Sequence, residues 1–156
     1  MAGTTPYTFT ALELLTAAKM NAIQANMQIV LDAINEPVVF PLVLNTDTAL
    51  SAGDGIVQFH IPPKMNGWTL TGITATRSAG TGVLTIQVNN VTQAADMLST
   101  RITIDSGEQS SSTAATPAVI DTANDDVASY DRIRADVDVA GTGTYNATLN
   151  LEFSRP

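Results

Sequence analysis

The sequence predicts a mainly β protein, an antiparallel β-sandwich of jelly-roll type preceded by one N-terminal α-helix that forms a trimeric bundle. Three observations predict this fold class. Apolar residues recur every three or four positions between residues 16 and 35, as on a helix with one apolar stripe. From residue 38 onward apolar and polar residues frequently alternate, and glycine-containing turns separate the alternating segments. The predicted domains are 1–36, a leader with an oligomerisation and attachment helix, and 37–156, the sandwich.

The leader is a short segment with a dense apolar cluster, and we expect it to attach the protein to a larger surface. Such a cluster at a chain end more often docks onto something than faces water. The predicted attachment residues are Tyr7, Phe9, Leu12, Leu14 and Leu15.

The helix is predicted over residues 16–35, with Thr16 as its N-cap and Pro37 closing it, because proline disfavours the helical conformation at the residue before it. Its apolar residues follow the 3-4 spacing of a coiled-coil seam. Two interpretations remain open. The helix folds back on its own β domain, or it packs against copies of itself in a parallel bundle. The second is favoured, since flexible and β-branched residues at both seam positions suit three or more strands. The predicted oligomerisation residues are Met20, Ile23, Met27, Val30 and Ile34.

The β region contains seven predicted strands and a possible eighth, a number typical of a two-sheet sandwich. In the segment RIRADVDVA the apolar residues from Ile133 to Val139 are predicted to face the core and Arg132 to Asp138 the solvent. The predicted strands are 38–44, 56–61, 68–76, 83–91, 98–104, 133–139 and 145–153, with 117–120 as the eighth.

Five turns place glycine where a tight connection needs positive φ. They are SAGDG, KMNG, SAGTG, DSGE and AGTG. The AGTG segments at 79 and 140 resemble each other, and each is followed by an alternating strand. We interpret them as two hairpin turns of similar chemistry.

Composition excludes several classes of function. The net charge is −8 and the seven basic residues are scattered, so nucleic-acid binding is not expected. No apolar run reaches the roughly 20 residues of a membrane span, and the N-terminus lacks the pattern of a secretory signal. The chain has no cysteine, which excludes disulfides and thiolate chemistry. These features predict assembly in the cytoplasm.

No constellation of residues predicts catalysis, a cofactor or a metal site. His60 is the only histidine and has no partner near it in sequence. The loop DTANDD, 121–126, gathers oxygen ligands with Asp131 nearby, but it lacks the EF-hand glycine and closing glutamate, so a solvated acidic loop is favoured over a calcium site. The small polar segment 108–117 is expected to be a mobile connection.

Four threonines and three aromatic residues are the remaining features that bear on ligand binding. Thr69, Thr71, Thr74 and Thr76 resemble a threonine ladder on an exposed sheet face. Tyr130 and Tyr145 are able to stack on sugars, whereas Trp68 begins an apolar strand and is expected in the core. These signals do not identify a ligand.

Two segments resemble structural proteins of tailed bacteriophages. YTFTALELLTAAKMNAIQANMQIVLDAI, residues 7–34, is similar to the N-terminal segment of many phage fibre and virion-surface proteins. Residues 98–153, with ITIDSGEQSSSTAATPAVID and DRIRADVDVAGTG, resemble a recurrent β module of phage structural proteins. The resemblance implies a virion component, commonly a homotrimer, that is attached by its N-terminus and presents a β domain outward. It supplies no active-site residues.

The expected function is therefore a non-enzymatic structural one at the virion surface, after assembly in the host cytoplasm. We rank a homotrimeric fibre or spike first, because a helix followed by a β domain has the order of a stalk and a head. Its expected partners are its own copies and other virion proteins, with host-surface glycan as an open candidate. A capsid decoration protein that stabilises the head is the alternative, and a carbohydrate-binding module is third.

Overall fold

The computed structural model describes residues 17–34 and 36–156, with side-chain exposure for 18–29 and 36–156. The protein is mainly β, with antiparallel sheets and one helix. The described residues separate into two units, one that contains residues 17–34 and one that spans Pro37–Pro156.

The helix α1 spans Ala17–Ile34. Its sequence contains neither glycine nor proline and is rich in Ala, Met and Gln, which have high helix propensity. It begins one residue after Thr16 and ends three residues before Pro37, close to the predicted bounds of 16 and 35. Thr16 and the leader residues Tyr7 to Leu15 lie outside the described residues.

Thirteen strands and two 3₁₀ turns follow the helix in the described region. The strands are β1 Val38–Val43, β2 Gly53–His60, β3 Trp68–Thr76, β4 Ala79–Thr81, β5 Leu84–Asn90, β6 Ala95–Asp96, β7 Leu98–Thr100, β8 Ile102–Ile104, β9 Val119–Ile120, β10 Asp126–Val127, β11 Arg132–Val139, β12 Thr142–Tyr145 and β13 Thr148–Ser154. The 3₁₀ turns are Pro63–Met65 and Ser111–Thr113.

The first sheet has the order β1-β13-β3-β10, and all of its pairs are antiparallel. Leu149, Leu151 and Phe153 of β13 are fully buried and alternate with partly exposed polar residues. This period-two pattern is what the sequence predicted for a strand with one face on the core.

The second sheet has the order β2-β11-β5-β6, with β8 also paired to β5, and it too is antiparallel. In its strand β11, the predicted alternation of buried and exposed residues is wrong at two positions. Asp136 is buried and not exposed, because it accepts hydrogen bonds from Gly55 N and Asn89 Nδ2, each at 2.6 Å. Val139 is exposed and not buried, because the register with β5 shifts between Val137 and Val139.

Both sheets contribute to one hydrophobic core. Phe40 of β1 stacks on Phe59 of β2 with ring centroids 4.6 Å apart, and it meets Phe153 of β13 edge-on at 5.8 Å. Stacked and edge-to-face pairs at these separations are favourable beyond the apolar area that they bury. Trp68 is also buried, as predicted, and Arg155 lies 5.3 Å from its ring centroid.

The two AGTG segments contain short paired strands, which corrects their prediction as turns alone. β4 of the first segment pairs with β12 of the second, with Thr81 opposite Thr142. A Cβ on Gly80 would lie 2.8 Å from Thr144 Oγ1, and its φ of +128° is rarely adopted by other residues. The two similar segments therefore need glycine to approach each other. Each of the five predicted turns holds at least one glycine with positive φ.

Other strand predictions need smaller corrections. The predicted strand 98–104 is split at Arg101, because β7 pairs with β9 whereas β8 pairs with β5. The predicted strand 145–153 is interrupted at Asn146, whose φ of +49° is left-handed. The short strands β6 and β10 lie in segments that were predicted as connections.

Candidate oligomerisation surface

Large apolar side chains of the predicted seam are exposed on α1. Met20, Ile23 and Met27 expose 49%, 50% and 58% of their surface. Every residue from 18 to 29 is exposed. The side chains of Val30 and Ile34, the other two seam residues, lie outside the described part.

The geometry of a helix places these residues in one stripe. At about 100° per residue, Met20, Ile23 and Met27 fall within a sector of about 60°, and Ile29 lies about 200° from Met27. Ile29 exposes 65% and shares its face with the small residues Ala22 and Ala25. The helix therefore has one stripe of large side chains and an opposite face of mainly small ones. The three side chains of the stripe carry no charge, so their suitable partner is another apolar surface.

His60 lies at the end of β2, opposite Arg132 of β11. Its side chain is exposed and forms no hydrogen bond or ion pair within the described residues. No group of three or more His, Asp or Glu side chains suited to a metal ion occurs in the described part of the chain. His60 therefore has no general-base geometry with a neighbouring side chain here.

One carboxylate of the acidic loop, that of Asp121, accepts hydrogen bonds in a local turn. Asp121 accepts hydrogen bonds from Ala123 N at 3.1 Å and from Asn124 Nδ2 at 2.7 Å. Asp126 is part of β10 and pairs with Thr69. The carboxylate of Asp121 therefore stabilises the local turn.

Asp131, which follows this loop, forms a buried polar cluster that sequence reasoning missed. Its Oδ2 accepts hydrogen bonds from Gln93 Nε2 at 2.6 Å, Asn90 Nδ2 at 2.7 Å and Ala128 N at 2.8 Å. Burial alone would raise the pKa of Asp131, but these three donors stabilise the carboxylate more strongly and the pKa is lowered. The donors lie 3 to 41 residues away in sequence, so no local pattern could identify the cluster.

A second buried polar group, Arg77, was also missed. Its guanidinium donates to the carbonyl oxygens of Gly82 at 2.9 Å, Asp105 at 3.0 Å and Glu108 at 2.9 Å. Arg77 is buried and ties three chain segments together through backbone oxygen atoms. Its partners are backbone groups, which any residue type provides, so the sequence carries no signal for them.

The segment 108–117 is fixed to the fold, which corrects the expected mobile connection. Ser111 Oγ accepts from Ala75 N at 2.9 Å, and Ser110 forms a β-bridge with Thr76. Thr113 donates to Glu108 Oε2 at 2.6 Å. The small polar residues of this segment therefore hold it against β3.

The threonines of β3 form cross-strand contacts with β13. Thr76 and Thr148 are joined through their hydroxyls at 2.8 Å, and Thr71 meets Ser154 at 2.9 Å. Because these contacts already satisfy the hydroxyls, the ladder is a feature of sheet pairing.

A polar groove of about 550 Å³ lies on the second sheet beside β7. It is lined by Gln87, Asp96 and Arg101 among other residues, and no aromatic side chain lines it. Arg101 in turn is held by Asp138 at 2.7 Å. Tyr130 and Tyr145 are exposed outside this groove, so it lacks the aromatic platform that sugar rings stack on.

No protein-family model, no curated protein and no solved structure matches this chain. Within the described region, no helical segment has both the length and the apolar character that a membrane crossing requires.

Proposed function

We propose that this protein is a non-enzymatic structural subunit of a tailed-phage virion, a homotrimeric fibre or spike attached through its N-terminus. The observation that carries the proposal is the exposed stripe of Met20, Ile23 and Met27 on α1. The helix has 18 residues, and most helical stability in proteins comes from packing an amphipathic face against another surface. The proposed cover is the same stripe of two further copies.

A parallel trimer fits the residues at the seam. Met and Ile at one seam position and Ile and Val at the other suit three or more strands better than two. Burial of the exposed half of each seam side chain stabilises the trimer by about 1 kcal/mol. No charge lies among the seam residues themselves, so three copies of a chain with net charge −8 can meet there without direct repulsion.

The unit Pro37–Pro156 is the proposed outward head. Its two antiparallel sheets and their shared core support a β-sandwich of the jelly-roll type. The resemblance of residues 7–34 and 98–153 to phage proteins supports a virion location and attachment through Tyr7 to Leu15. Contact of the head with host-surface glycan is a further proposal.

Light scattering of the full chain at micromolar concentration tests the assembly. The wild type is expected to show three times the mass of one chain, and Met27→Asp is expected to show a single chain because a charge would enter the seam in every copy. Ile29→Asp is the matched control, since it places the same charge on the opposite face. A monomeric wild type would contradict the proposal.

Labelling the protein on intact virions tests the location. A fibre or spike is expected to carry the label at one discrete position per tail or vertex. Label spread evenly over the capsid would favour the decoration protein instead, and absence of label from virions would contradict both.

A further inference from the structure

The outer face of β1 carries a row of exposed apolar residues. Val39 and Val43 expose 50% and 56% of their surface, and Pro41 between them is also exposed. Their neighbours Phe40 and Leu42 point to the core. We call Val39, Pro41 and Val43 the β1 strip.

The backbone edge of β1 is poorly suited to adding a further strand. β1 pairs with β13 on one side and has no strand partner on the other within the described residues. Pro41 has no N–H and removes one donor from the strand, a common protection of edge strands. Contacts at this edge of the sheet therefore depend on the side chains of the strip.

The charge pattern suits a contact between identical copies. Residues 38–46 contain no charged side chain, although the chain as a whole carries −8. A symmetric contact near the axis brings identical residues together, so a charged strip would repel itself. Glu152 lies opposite Val39 on β13 and lines the groove beside the strip, so its carboxylate must remain solvated at the margin of such a contact.

The helix seam alone offers less area than a stable assembly needs. Aliphatic side chains bury roughly 60–120 Å² each, so the five seam residues provide about 300–600 Å² per chain. Stable interfaces bury about 800 Å² per partner. A second contact between the copies is therefore required, and an exposed apolar surface near the helix is the natural candidate.

Chain connectivity keeps the strip close to the seam. Four peptide units join Ile34, the last residue of α1, to Val38, the first residue of β1. Four extended residues span at most about 14 Å. Copies that associate through their helices therefore carry their β1 strands within reach of one another.

We infer that the β1 strip is the second contact between the copies. This inference rests on the proposed trimer. A groove of about 470 Å³ lies next to the strip and is lined by Val39, Gly72 and Thr74 among others. A side chain of a second copy could enter this groove, as close packing between copies requires. Glu152 also lines this groove, and its side chain lies against Gly72, where a Cβ would be 3.1 Å from Glu152 Oε2.

Paired substitutions in the full chain test this inference. Val39→Asp with Val43→Asp is compared with Val119→Asp and Val139→Asp, whose wild-type residues expose 50% and 48%. Both pairs add the same charge to similarly exposed valines, but only the first lies on β1. Sedimentation equilibrium is expected to show that the β1 pair raises the half-dissociation concentration of the trimer at least about tenfold, while the control pair leaves it unchanged.

The outcomes separate this inference from the proposed function. A wild-type trimer that both double variants preserve would overturn the role of the strip and leave the helix bundle standing. A monomeric wild type would overturn both. Circular dichroism establishes that each variant is folded. If the aspartate pair fails to fold, Val39→Thr with Val43→Thr keeps the β-branched shape. It is then expected to weaken the trimer by a smaller factor, and an unchanged trimer would overturn the inference.

Discussion

The methionines of the helix and of the β domain have opposite environments. Met65 and Met97 in the β domain are fully buried, whereas Met20 and Met27 on α1 expose about half of their surface. The same residue type therefore completes an intramolecular core in one region and leaves an apolar surface open in the other. The β domain therefore buries its methionines within one chain, whereas those of α1 remain exposed, and this exposure is the basis of the proposed assembly.

This contrast predicts different kinds of stability. Unfolding of a domain whose core lies within one chain does not depend on protein concentration. Helix stability that comes from association rises with concentration by mass action. Three substitutions in the β domain test this difference in stability.

Phe153→Ala is expected to have the largest effect on the β domain. Phe153 is fully buried and meets Phe40 edge-on at 5.8 Å, so its removal leaves a cavity. We expect the free energy of unfolding to fall by about 3–5 kcal/mol. Chemical denaturation followed by tryptophan fluorescence measures it, because Trp68 lies in this domain. Met27→Ala on the helix is the control and should leave the free energy of unfolding of the β domain unchanged. An equal loss from Met27→Ala would contradict the difference between the two regions.

Gly80→Ala is expected to have an intermediate effect. The new Cβ would lie 2.8 Å from Thr144 Oγ1 and 3.0 Å from Thr144 Cα, in addition to the strain of positive φ. We expect a loss of about 2–3 kcal/mol. Gly67→Ala is the control, because its φ is +77° but nothing lies within 4 Å of its Cβ. It should lose only about 1 kcal/mol. Equal losses of unfolding free energy in the two variants would mean that the close approach of Gly80 to Thr144 does not require glycine.

Asp131→Asn is expected to have the smallest effect, about 1–2 kcal/mol at neutral pH, because the three donors then face a neutral group. The lowered pKa of Asp131 in the folded state means that its contribution is present above the ordinary aspartate pKa of 3.8 and is lost as the pH falls through the folded value. The stability of the variant should therefore fall less steeply with acid.

Denaturation midpoints between about pH 2 and pH 7 measure this pH dependence. Asp47→Asn, an exposed position between β1 and β2, is the matched control and should follow the wild type. If Asp131→Asn lost stability with acid as steeply as the wild type, the three donors would not be stabilising the carboxylate.

Much of the fold could be predicted from the sequence because periodicity reports local structure. β3 has the predicted bounds, and α1 ends one residue short of its prediction at either side. Errors occurred where tertiary contacts override the local pattern. Asp136 is buried by donors from β2 and β5, and the AGTG segments pair with each other across 60 residues of sequence.

The candidate surface was predictable in part for the same reason. The 3-4 spacing of Met20, Ile23 and Met27 is local and identifies a stripe. The β1 strip gave no separate signal, since the segment VVFPLV reads as a buried strand throughout. Its exposed face became visible only when the pairing with β13 fixed which side of β1 points away from the core.

Cysteine crosslinking on the helix tests the central claim most directly, and the chain contains no native cysteine to interfere. In a parallel bundle Met27→Cys brings identical residues close to the Cα separation of about 4.4–6.8 Å that a disulfide requires. Under mild oxidation of the full chain we expect Met27→Cys to form covalent dimers within the trimer, and Ile29→Cys on the opposite face to remain monomeric on a non-reducing gel. Equal crosslinking at the two positions, or none at Met27, would contradict a parallel seam.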